Sequence, residues 1–103
     1  MPTRQKSFSY FLDPEEKVTL RSNFTIKSGK IEKFAVQLEF EGSSVLRFDN
    51  AHGYVHQHTF SLEGEGQVRK LKFGNNSQAY NYYYQFIKSN WDALVERFKR
   101  AYE

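Results

Sequence analysis

The chain has 103 residues, enough for one domain with its own core and too few for two. It contains no cysteine, which excludes a disulfide framework and any thiolate metal site. Fifteen basic against twelve acidic residues give a net charge of +3, milder than that of a dedicated nucleic-acid-binding chain.

Residues 4 to 12 (RQKSFSYFL) read as a first strand, ended by Asp13-Pro14. From Lys17 to Lys27 the period is two. Val18, Leu20, Phe24 and Ile26 fall on one face, and Arg21, Asn23 and Thr25 on the other. Ser28-Gly29 marks a turn, because glycine supplies the positive φ that tight hairpins need. The next run puts Phe34, Val36, Leu38 and Phe40 inward and Lys33, Gln37 and Glu39 outward. A loop at Gly42-Ser43-Ser44 is expected to pair Phe40 with Leu46 and Leu38 with Phe48, leaving Val45, Arg47 and Asp49 on the opposite face.

Asn50 to Gly53 reads as a connecting turn. The strand from Tyr54 to Leu62 then sets Tyr54, His56, His58, Phe60 and Leu62 against Val55, Gln57, Thr59 and Ser61. Glu63-Gly64-Glu65-Gly66 is a loop, and Val68 to Phe73 a last strand. From Asn76 the period lengthens. Tyr80, Tyr83, Ile87, Trp91, Leu94 and Phe98 share one helical face, with Asn76 or Ser77 as cap and a weak point at Ser89-Asn90 where the helix kinks or splits. The expected fold is α+β: an antiparallel meander of five or six strands followed by a C-terminal helix packed on one sheet face, all in one domain over residues 1–103. No apolar run approaches the roughly 18 residues of a membrane span. The first residues, MPTRQKSFSYF, lack the apolar stretch of a signal peptide. The expectation is a soluble, cytoplasmic protein with no membrane partner. The basic runs Arg69-Lys70-x-Lys72 and Arg97-x-Lys99-Arg100 read as solvated faces.

The stretch RFDNAHGYVHQHTF, residues 47 to 60, holds every histidine in the chain. Three readings compete for it. In the first the imidazoles are structural, hydrogen-bonded within the sheet. In the second, His56 and His58 project to one side of a strand with α-carbons about 7 Å apart. With His52 or Asp49 as a third ligand they would take a divalent metal such as zinc. In the third the chemistry is acid–base: His56 and His58 exchange protons, Asp49 fixes an imidazole tautomer, Arg47 holds a phosphate and His52 assists. That set suffices to cleave RNA through its 2′-hydroxyl. It requires a register with His56 or Tyr54 opposite Asp49 or Arg47; otherwise Arg47 and Asp49 are an exposed pair worth less than about 1 kcal/mol. The tyrosine-rich helix offers either core packing or an aromatic face for a partner or a second copy of the chain.

The stretch FDNAHGYVHQHTF, preceded by KFAVQLEFEGSSVLR, resembles the TumE-type toxin family of prokaryotic toxin–antitoxin pairs over residues 34 to 60. Asp49, His52, His56 and His58 match the family's motif, and Arg47 matches the basic residue before it. The resemblance implies a stand-alone α+β domain acting as a toxin, an antitoxin protein as partner, and RNA as target.

Overall fold

A computed structural model describes residues 3–51, 55–59, 67–71 and 75–101. Among the described residues six strands run in chain order: β1 (Arg4–Asp13), β2 (Val18–Lys27), β3 (Lys30–Phe40), β4 (Ser43–Asp49), β5 (Val55–Thr59) and β6 (Gln67–Leu71). Each pairs antiparallel with the next, so the sheet is a plain meander, and α1 (Asn76–Ala101) follows it. The α+β expectation holds.

The helix lies chiefly over β3, with a smaller footprint on β4. Alternation along the strands supplies the core beneath it: Val18 and Leu20, then Phe34, Val36 and Leu38, then Leu46 and Phe48, then Val55. The helix answers with Ala79, Tyr80, Tyr83, Ile87, Val95 and Phe98. Phe48 and Tyr83 stack at a ring separation of 3.7 Å. The tyrosines keep their hydroxyls hydrogen-bonded: Tyr80 to Ser22 Oγ, and Tyr84 to Tyr10 at 2.8 Å. Burial pushes the Tyr80 phenol above its ordinary value, and burial together with the bond to Tyr84 does the same to Tyr10. The aromatic face expected either in the core or at an interface thus goes largely into the chain's own core, with Tyr82 the exposed tyrosine of the described helix.

The Ser28-Gly29 turn forms as expected, and the next hairpin is tighter than the sequence suggests. Ser28-Gly29 and Glu41-Gly42 each have both residues at positive φ, the two-residue turn whose twist suits a hairpin. Ser43 and Ser44, expected in a loop, therefore belong to β4. Leu38 faces Leu46 and Val36 faces Phe48, two residues away from the expected Phe40–Leu46 and Leu38–Phe48 pairs. The register is corrected by a bulge. Phe40 pairs with Ser43 and Glu39 with Ser44, but Leu38 pairs with Leu46, so Val45 is the extra residue. Val45 and Leu46 both reach the helix side, lining a hollow with Phe86 and Leu94.

The helix also departs from expectation at its start and middle. Its cap is Asn75, whose Oδ1 accepts the Gln78 amide at 2.8 Å, not Asn76 or Ser77. Those two tie the helix start to β3: Asn76 Nδ2 donates to the Glu32 carbonyl, and Ser77 Oγ accepts the Ile31 amide. No break occurs at Ser89-Asn90. The helix runs on through 26 residues, and Asn90, instead of capping a second helix, donates from Nδ2 to the Phe86 carbonyl one turn back.

Candidate functional site

The Val45 bulge decides which side of the sheet carries the polar residues. An unbulged hairpin continuing from Phe40–Ser43 would set Arg47 opposite Val36 and Asp49 opposite Phe34, under the helix. The extra residue flips the parity. Arg47 instead pairs with Gln37 and Asp49 with Ala35 on the face away from α1. Across the next ladder Asp49 lies opposite His56 and Arg47 opposite His58, the register that the acid–base reading requires.

Asp49 is the hub. His58 Nε2 lies 3.1 Å from its Oδ2, within hydrogen-bond reach, and Arg47 Nε lies 2.9 Å from the same oxygen. The Arg47 contact is electrostatic, since its Nε lacks an aligned acceptor. Oδ1 accepts the Ala51 amide at 3.2 Å and stands 3.7 Å from His56 Nδ1. The two imidazoles are 5.7 Å apart, tilted by 31°. Exposure divides the group. Asp49 and His56 are buried, whereas about a third of the His58 side chain (32%) and 42% of the Arg47 side chain reach solvent. A buried carboxylate flanked by a guanidinium and two imidazoles has the partners that its charge demands.

Burial drives the His58 pKa below its ordinary 6.5; the nearby Asp49 charge pulls upward, Arg47 and His56 pull down, and burial prevails. At neutral pH His58 is therefore uncharged. With Nε2 directed at the carboxylate, that nitrogen carries the proton and Nδ1 is the basic one. The arrangement is an oriented, neutral imidazole beside a cation.

Asn50, assigned to turn chemistry by its place in the sequence, does more. Its Oδ1 accepts the Phe34 amide at 2.9 Å and its Nδ2 donates to the Glu32 carbonyl at 3.0 Å. The side chain acts as a short extension of β4's ladder onto β3. Glu32 is the extra residue where the β2–β3 register shifts between Thr25–Lys33 and Ile26–Ile31. Its carbonyl also accepts Asn76 Nδ2, so one bulge joins the end of β4 to the start of α1. The Asn directly after the motif's Asp is the sequence signal for this anchor, and the structure shows it buried.

His52, together with Tyr54, Phe60 and Leu62, lies outside the described residues. Among the described residues no three His, Asp or Glu side chains are grouped to hold a metal ion. No described helix is long and apolar enough to cross a membrane.

Neither a curated protein nor a solved structure matches the chain. A family model described as a domain of unknown function (DUF7718) matches residues 1–103, and the chain belongs to that family.

Proposed function

We propose that the domain is a toxin-like ribonuclease with His58 as its general base. The Arg47–Asp49–His58 contact chain, backed by His56 on a sheet face that the helix leaves open, carries this reading. His58 Nδ1 takes the proton of a ribose 2′-hydroxyl. The 2′-oxygen attacks the adjacent phosphorus, the bond to the 5′-oxygen breaks, and that oxygen takes a proton from water. The products are a 2′,3′-cyclic phosphate and a 5′-hydroxyl end. Arg47, ordered by Asp49, offsets the charge that builds on the phosphoryl oxygens. His56 supports the carboxylate from behind, because its burial keeps it from substrate. In this reading the domain acts in the cytoplasm and an antitoxin protein silences it.

The test is direct. Labelled single-stranded RNA incubated with the protein should acquire cyclic-phosphate ends, and His58→Ala should slow this by about 10²–10⁴-fold with unchanged circular dichroism. RNA left intact by the unsubstituted protein, with chelator and with added zinc or magnesium alike, refutes the reading.

A further inference from the structure

The face opposite the helix carries more than the histidine site. Register places its residues in rows across the strands. Ser9, Arg21, Gln37, Arg47 and His58 form one row. Ser7, Asn23, Ala35, Asp49 and His56 form the next. In the second row only the methyl group of Ala35 stands between Asn23 and Asp49. At the β1–β2 end lies a hollow of about 240 Å³ lined by Ser7, Phe8, Ser9, Arg21, Ser22 and Asn23. Cations border the path on both sides: Arg21 and Arg47 on one, exposed Lys33, in the row beyond, on the other. The acidic groups beside them are engaged. Glu39 takes Arg21 Nε at 2.7 Å and Gln37 Nε2 at 2.8 Å, and Asp49 holds the histidine site.

An unexplained aromatic residue comes next on this face of β1 after Ser9, which lines the hollow. Phe11 follows Ser7 and Ser9 on the same face of β1 and is 60% exposed. No core demands it there, since the neighbouring Tyr10 supplies the packing contact with the helix. A solvent-facing ring next to a polar hollow, leading to paired cations, is the combination that binds single-stranded nucleic acid: a base stacks on the ring and phosphates follow the charges.

We propose that this face is a binding track for single-stranded RNA, with a base stacked on Phe11 over the hollow, a phosphate at Arg21, and the scissile phosphate at Arg47 and His58. The track deepens the ribonuclease reading and rests on it for its catalytic end. From β1 to β5 it crosses four inter-strand steps, about 19 Å. The substrate is therefore a strand of several nucleotides, not a mononucleotide or a dinucleotide.

The experiment has two readouts. Binding of a fluorescent oligoribonucleotide of eight nucleotides is followed by anisotropy in the His58→Ala background, where cleavage is blocked. Adding Phe11→Ser should weaken it roughly tenfold. Adding Arg21→Gln should weaken it and reduce the dependence of log affinity on log salt by about 0.7. Lys88→Gln, an equal charge change on the helix, controls for net charge. In the active protein, kcat/KM for the octanucleotide should exceed that for a dinucleotide roughly tenfold or more, and Phe11→Ser should collapse that ratio. An octanucleotide that does not bind, or binds alike with and without Phe11 and Arg21, overturns the track, whatever the cleavage result. Binding that depends on both residues, with neither substrate cleaved, keeps the track and overturns only the ribonuclease reading.

Discussion

Asp49 holds charges of both kinds within reach of one imidazole, and this makes His58 a reporter of its neighbours. The carboxylate favours the imidazolium, while Arg47 and burial oppose it. Asp49→Asn should therefore move the His58 titration further below 6.5, and Arg47→Ala should move it back up, as read by NMR of the ring protons. Shifts of the same sign in both variants would contradict the arrangement. The effect on stability has a defined direction. A histidine whose folded pKa is depressed binds fewer protons than its unfolded counterpart in the window below 6.5. Its stabilising contribution is complete above 6.5 and is lost as pH falls from there toward the folded value. The motif's composition made His56, His58, Asp49 and Arg47 visible as candidates. Their unequal exposure was not visible, because alternation gives the face of a residue and not what lies over it.

At the level of elements, the site depends on how β4 is held. The Glu41-Gly42 turn fixes where the hairpin begins, the Val45 bulge sets its parity, and Asn50 fastens its far end to β3. Asn50→Ala should leave the buried Phe34 amide without its partner and cost about 1–3 kcal/mol in denaturant unfolding. Asn50→Asp should recover part of that loss, because it still accepts the Phe34 amide while giving up the donation to Glu32. Equal losses in the two variants would mean that the contact to Phe34 contributes nothing. The strands themselves were legible from alternation, and the helix from its three- and four-residue spacing. The two-residue slide of β4 was not, since an alternating strand shifted by two presents the same faces. The helix stayed whole past Ser89-Asn90 because Tyr83 and Ile87 before that point, and Val95 and Phe98 after it, bury against one continuous core. Packing of that kind outweighs the weak local preference of Ser and Asn to end a helix.

Across the whole molecule, one sheet has two unlike faces. The helix seals the apolar one; the polar one carries the histidine site and the proposed RNA track. The seal is a condition for folding, because Val36, Leu38 and Phe48 would otherwise face water as one apolar patch. A chain ending at residue 74 should show no cooperative unfolding transition. In the full chain, Trp91 fluorescence on the helix and far-ultraviolet dichroism should change at the same denaturant concentration. Separate midpoints would show that helix and sheet fold independently.

By itself the sequence determined the class of fold, the order of its elements and the residues able to do chemistry, because periodicity and residue type are local properties of the chain. The sequence placed Arg47 and Asp49 on the face away from the inward apolar row, but tertiary structure alone decided that His56 and His58 lie across from them. That outcome turns on which residues of β4 and β5 meet, and a register exists only once two strands are paired with their core sides filled.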